Sequence, residues 1–202
     1  MALKNTGPSL EKIAKTLAGI RDSREFLLKN TREIIILCSQ AIIAIHRDDV
    51  TAAQKNLGRA DALLKRYRKK STGNLARYMI TPEQEFVEAS ALLSIHCKKQ
   101  IPSHTKLAVM PESYVLGLLD CVGELKRMIF ERIRTGEIAE AARIFDVMEG
   151  MYLQLQTFAL YDKVVKEARR KIDVCRILVD DVRGAIAEES RRAELIRALE
   201  SR

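Results

Sequence analysis

The sequence predicts an all-α fold, a single bundle of six or seven mostly antiparallel helices, and three observations lead there. Apolar residues recur near a 3.6 period along most of the chain, and no segment of useful length alternates with the period of a half-buried strand. Of 202 residues, 47% are hydrophobic, enough to fill a sizeable core. Turn-forming material is sparse, with 9 Gly, 4 Pro, 5% aromatic residues and no Trp, which suits long helices better than many short strands. Residues 1–202 read as one domain, with 185–202 as a helical C-terminal extension.

Taken in order, Leu10, Ile13, Leu17 and Ile20 mark a first helical stripe, with Ser9 as its N-cap and a break at Asp22-Ser23. A long helix follows from about Arg24 to Arg47, carrying Phe26, Leu27, Ile34, Leu37, Cys38, Ala41, Ile42 and Ile45. Asp48 and Asp49 cap a helix from about Val50 to Lys70, and Ser71 to Asn74 form the clearest internal break. Thr81-Pro82 opens the next helix, with Glu85 at roughly capping-box spacing, and it extends to about Lys98. Lys99 to Val109 reads as a loop. Pro111 opens a helix that Thr135-Gly136 stops. Glu137 to Thr157 form another, and Asp162 to about Leu199 a charged closing helix with Gly184 as a candidate break.

The apolar run Ile34–Ile45 is shorter than the roughly 18 residues a membrane span needs. The N-terminus is mixed and polar, without a signal-peptide pattern. The four cysteines are far apart, none in a CxxC pair, and each lies in an apolar helical stretch. A cytoplasmic setting, no membrane partner and no structural zinc are therefore expected.

The formal charge of +8 favours polyanionic partners. Basic residues concentrate between Arg59 and Arg77, where Lys65, Arg66, Arg68, Lys69 and Lys70 meet a single acid, Asp61. Tyr67 inside this cluster is a candidate base-stacking residue. A second basic stretch, Lys163 to Arg176, is diluted by acids. A solvated helix face is the bland reading of both; phosphate binding is the sharper reading of the first.

Two acidic pairs carry the candidate chemistry. Glu85 and Glu88, three apart, share a helix face, as do Asp120 and Glu124, four apart. Gly117 and Gly123 flank Asp120, and each costs about 1 kcal/mol against Ala in a helix interior, so both suggest a crowded face. Four facing carboxylates would repel unless neutralised, and oxygen-only ligands suit Mg²⁺ or Mn²⁺. Surface acids paired with Lys or Arg are the alternative. A carboxylate-bridged di-iron site needs Glu-x-x-His pairs, which His46, His96 and His104 do not form. No phosphate-binding glycine loop is present.

The segment SYVLGLLDCVGELKRM, through Tyr114, Gly117, Asp120, Gly123, Glu124, Leu125 and Arg127, resembles a helix of the translin and translin-associated factor X family. Thr31-Arg32-Glu33-Ile34 with the apolar run to His46, and Leu160-Tyr161-Asp162 with KIDVCRILVDDVRG, resemble its first and closing helices. The resemblance spans roughly residues 10 to 185. Glu85-Phe86-Val87-Glu88 followed by Asp120 and Glu124 is similar to the factor X branch, which implies a Mg²⁺-dependent endoribonuclease acting on single-stranded RNA. It also implies a hollow, roughly octameric shell, here a homo-oligomer, enclosing the RNA.

On this reading Glu85, Glu88 and Asp120 hold Mg²⁺, with Mn²⁺ as a substitute. Glu124 is a further ligand or orients the attacking water. Arg127, seven residues after Asp120, holds the scissile phosphate or balances the acids. Arg32, Lys65, Arg66, Arg68, Lys69 and Lys70 are the expected backbone-phosphate contacts. The alternative is a non-catalytic shell binding single-stranded RNA or DNA, and a third reading is a helical scaffold with no nucleic-acid role.

Overall fold

The computed structural model describes residues 3–200, and among them every regular element is helical. Six long helices and one single-turn helix follow in order: α1 (Thr6–His46), α2 (Val50–Arg68), α3 (Ile80–His96), α4 (His104–Leu107), α5 (Pro111–Arg134), α6 (Ile138–Leu155) and α7 (Ala168–Glu200). Short 3-10 segments, Gly73–Met79 and Gln156–Tyr161, lead into α3 and out of α6. The predicted all-helical bundle is the observed one.

Helix α1 is continuous over 41 residues, so the expected break at Asp22-Ser23 does not occur. Asp22 is exposed and paired with Arg21 at 3.0 Å. On a solvated face the propensity penalty of Asp or Ser is a fraction of a kcal/mol, about 0.7 at most, too little to interrupt the hydrogen-bond ladder. The helix also begins ahead of the expected Ser9 cap, with Pro8 in the first turn, where its missing N–H has no intrahelical partner to lose.

Asp49 caps α2 as predicted, accepting from Ala52 N at 2.9 Å. Helix α3 starts one residue before Thr81, no side chain caps it, and the anticipated Thr81–Glu85 capping box is absent. Thr81 and Pro82 lie inside the first turn instead, which leaves the Glu85 carboxylate for another role. The expected loop after α3 contains the single turn of α4, capped by Ser103 Oγ on Lys106 N at 3.2 Å. Pro111 sits in the first turn of α5, and Gly136, at φ +80°, follows its end in a backbone region that glycine adopts without strain. Helix α7 begins at Ala168 and runs unbroken through Gly184.

Helices α3 and α5 form the centre. Helix α3 packs against α1, α2 and α5, and α5 against α3, α6 and α7. Phe86 to Leu92 of α3 are buried without interruption, as expected of a helix enclosed on all sides rather than amphipathic. Ile34, Leu92, Leu125, Ile129, Ile144 and Met148 are fully buried within this core. Gly117 makes the α3–α5 approach close: a Cβ there would lie 2.5 Å from the Gln84 carbonyl oxygen and 2.7 Å from Val87 Cβ. At Gly123, by contrast, a Cβ would meet nothing within 4 Å, so the crowding expected at both glycines holds only for Gly117.

The ends of the terminal helices carry exposed apolar side chains: Leu10, Ile13, Leu17 and Ile20 on α1, and Leu195, Ile196 and Leu199 on α7. No helix among the described residues is long and apolar enough to cross a membrane. Cys38, Cys121 and Cys175 are buried free thiols, and burial raises the pKa of each, as suits core residues.

Candidate active site

The α3–α5 contact brings together the two acidic pairs. Glu85 and Glu88 extend from α3, Asp120 and Glu124 from α5, and the four share one electrostatic neighbourhood. Burial, followed by the charge of Asp120, raises the pKa of Glu85. Glu88, only 9% exposed, is pushed to about 8 by burial first and then by Asp120, Glu85 and Glu124. Like charges in a poorly solvated contact cannot all ionise freely, and the proton resides where burial is deepest.

Three residues outside the predicted set complete the cluster. Gln84 Nε2 donates to Asp120 Oδ2. Lys171, from α7, donates through Nζ to the other oxygen, Oδ1. His46, at the end of α1, lies with Nε2 2.5 Å from Glu124 Oε2. That hydrogen bond, with the positive charge nearby, keeps Glu124 below the usual glutamate range. Arg127 is exposed, 3.8 Å from the same Glu124 oxygen. Burial thus favours the protonated form of Glu88, the inner member, and the His46 hydrogen bond favours the ionised form of Glu124, the outer one.

An open cleft of about 230 Å³ adjoins Asp120 and Lys171, bordered also by Gly123, Arg170, Val174 and Cys175. It gives solvent a route to the α5–α7 side of the acids.

The donor set consists of hard carboxylate oxygens in excess negative charge, the chemistry that suits Mg²⁺ or Mn²⁺. An ammonium already rests on Asp120, a cation where such a set calls for one. Among the described residues, no three acidic, imidazole or thiol groups converge on one point as the side chains stand. Asp120 faces Gln84 and Lys171, and Glu124 faces His46, so a shared ion requires those side chains to turn.

The basic residues divide. Arg32, Lys69 and Lys70 are exposed, and among the described residues none forms an ion pair with an acid. Lys65 pairs with Asp61 at 2.6 Å, one helical turn away. Arg66 lies over the Tyr67 ring and donates to its hydroxyl at 3.0 Å, and Lys70 lies over Phe26. Tyr67 itself is fully buried, edge-on to Phe26, and presents no face to a base, contrary to the stacking role expected of it. Arg68 turns inward, donating from Nε to Glu83 Oε1 at 2.8 Å.

Lys171 and His46 escaped the sequence reading, Lys171 as one of a diluted basic stretch and His46 as a histidine outside any Glu-x-x-His pair. The available signal was their place within the first and closing family-like segments.

A helical bundle whose two central helices carry four carboxylates, with an exposed basic cluster on α2, is the class of chain these features define. The chain belongs to the Translin family, whose model matches residues 22–183. An uncharacterized protein of Methanocaldococcus jannaschii is 36% identical over 173 residues, covering 84% of this chain and 78% of that protein. Among solved structures, AfC3PO is similar with a TM-score of 0.82 and 30% identity, covering 91% of this chain and 98% of the other. AfC3PO in complex with duplex RNA is similar with a TM-score of 0.81 and 29% identity, over 91% and 97% of the two chains. Apo-NeC3PO, at 22% identity and a TM-score of 0.77 over 90% and 97%, shares the fold.

Proposed function

We propose that this chain is a metal-dependent endoribonuclease that binds RNA and cleaves single-stranded RNA within an oligomeric shell of its own copies. The observation that carries the reading is the meeting of Glu85, Glu88, Asp120 and Glu124 across α3 and α5, with Glu88 pushed to about 8. Such a concentration of carboxylates is unfavourable for the fold alone, and perturbed groups of this kind gather at working sites. RNA binding is supported by the likeness to AfC3PO, which has been solved with duplex RNA, and by the +8 charge.

Glu85, Glu88 and Asp120 would hold the Mg²⁺ or Mn²⁺ ion, which when bound would supply a positioned, more acidic water and positive charge for the phosphodiester. Glu124, ionised beside His46, is suited to orient that water or to complete the ligand set. Arg127, exposed at the edge of the cluster, is suited to receive the phosphate. Arg32, Lys65, Arg66, Lys69 and Lys70 offer backbone-phosphate contacts.

Self-association is supported by the apolar stripes near the ends of α1 and α7. A second feature is an open apolar cleft of about 410 Å³ whose lining includes Pro111, Val115, Phe158, Leu160, Tyr161 and Val164. Apolar surface of that kind marks interaction sites. An octamer and a cytoplasmic location accord with this reading.

The second reading, a non-catalytic single-strand RNA- or DNA-binding shell, draws on the internal partners of Asp120 and Glu124: Lys171 balances Asp120, and His46 hydrogen-bonds Glu124, without metal. Cleavage of a labelled single-stranded RNA with and without Mg²⁺, by the wild type and by Asp120→Ala, separates the two. Cleavage requiring both metal and Asp120 supports the nuclease. Salt-sensitive binding without cleavage supports the shell.

A further inference from the structure

Lys171 reaches the acid cluster from α7, an element that contributes none of the four carboxylates. Its Nζ is on Asp120 Oδ1 while Gln84 holds Oδ2, so both oxygens of Asp120 are occupied within the protein. The Lys171 charge also opposes the upward shifts of Glu85 and Glu88, so one ammonium acts on these two acids of α3 as well as on Asp120. Lysine suits such a place: its ammonium is a compact point charge on a flexible stem, unlike the planar fork of arginine. The stem has somewhere to go. Lys171 and Asp120 both border the open cleft of about 230 Å³, and Gly123 leaves that side of α5 without a side chain.

We propose that Lys171 is a built-in counter-cation of the acid cluster, occupying on Asp120 the place that a divalent ion takes, so that ion and ammonium compete. The proposal rests on the metal-site reading above. A divalent ion on Asp120 and an ammonium in contact with the same carboxylate repel each other. Metal entry therefore releases Lys171 from Asp120 into the cleft. Without metal, the ammonium keeps the carboxylates from forcing the α3–α5 contact apart. Lys171 is thus a positioning residue that sets how tightly the site takes its ion.

The test measures Mn²⁺ binding by calorimetry on the full-length, RNA-free protein, comparing the wild type with Lys171→Met, Lys171→Arg and Asp120→Asn. Removing the competing cation should tighten Mn²⁺ binding about tenfold in Lys171→Met. Lys171→Arg keeps the charge and should stay close to wild type, and Asp120→Asn should lose binding. A second measurement needs no variant. Acylation of Lys171 by an amine-directed reagent, read by peptide mass spectrometry, should accelerate severalfold when Mg²⁺ is added, with no matching change at Lys69 or Lys70. Equal or weaker Mn²⁺ binding by Lys171→Met, with Asp120→Asn still deficient, would overturn the competition while leaving the metal site standing. A Lys171 labelling rate indifferent to Mg²⁺ would do the same. Absence of Mn²⁺ binding in the wild type and every variant would overturn the metal-site reading itself, and the proposal with it.

Discussion

Arg68 and Glu83 form an inward-facing ion pair between α2 and α3, with Nε 2.8 Å from Oε1. Glu83 is 2% exposed, and its second oxygen takes the Met110 N–H at 2.8 Å, just ahead of α5. One buried carboxylate thus ties three elements together. Deleting one partner of a buried pair leaves the other charge uncompensated, which typically costs about 3–5 kcal/mol. Arg68→Ala should lower stability by an amount of that order, measured by urea unfolding, whereas Lys69→Ala should change it by less than about 0.5 kcal/mol. Equal effects would mean that Arg68 belongs with the surface cluster after all.

That pair shows where sequence reading reaches its limit. Punctuation is local, so Pro111 and Gly136 bracket α5 correctly, and the spacing of Glu85 to Glu88 and of Asp120 to Glu124 places each pair on one face. Gly117 even hints at the close approach that lets the pairs meet. What joins Lys171 to Asp120, or His46 to Glu124, is packing between helices that brings together residues 51 and 78 positions apart, and no local period encodes it. Tyr67 is a different case. Its neighbours in sequence are cationic, but Ala60, Leu64 and Tyr67 share a helical face, and that face is buried. Composition suggested a surface aromatic, while periodicity already pointed inward.

Glu88 should make the metal-free protein less stable as pH rises. Its folded pKa, about 8, lies above the ordinary glutamate value of 4.5, so the native state keeps a proton that the unfolded chain releases. Below both values there is no difference. Between about 4.5 and 8 stability falls with pH, and above 8 the full penalty of a buried charge applies. Glu88→Gln removes this dependence. With divalent ions chelated, its stability relative to wild type should improve from pH 5 to pH 9 by an amount on the order of a few kcal/mol. Parallel stability curves across that range would show that Glu88 is not held protonated.

Gly117→Ala and Gly123→Ala should behave oppositely, although both glycines lie in the interior of α5. At Gly117 the new methyl would meet the backbone of α3, which cannot move aside as a flexible side chain does. Overpacking of this kind costs about 1–3 kcal/mol and pushes apart the helices that present the acids. At Gly123 the methyl enters open space and gains up to about 1 kcal/mol of helix propensity. Thermal unfolding should therefore place Gly117→Ala below wild type and Gly123→Ala level with it or above. Loss of stability in both would mean that the α5–α7 side is more tightly closed than the cleft indicates.

Neutralising Lys65, Arg66, Lys69 and Lys70 together should weaken RNA binding and flatten its salt dependence without unfolding the chain. Lys69 and Lys70 have no acidic partner among the described residues, Lys65 has only the nearby Asp61, and Arg66 is exposed and held only over the Tyr67 ring and on its hydroxyl. Arg68 must be left intact, since its loss would strand Glu83. Each phosphate contact removed should lower the slope of log K against log salt by about 0.7 for a single strand. Fluorescence anisotropy across a range of monovalent salt gives that slope directly. An unchanged slope, in a variant with wild-type thermal stability, would take the α2 cluster out of the RNA path and move the search to Arg32 and the exposed face of α1.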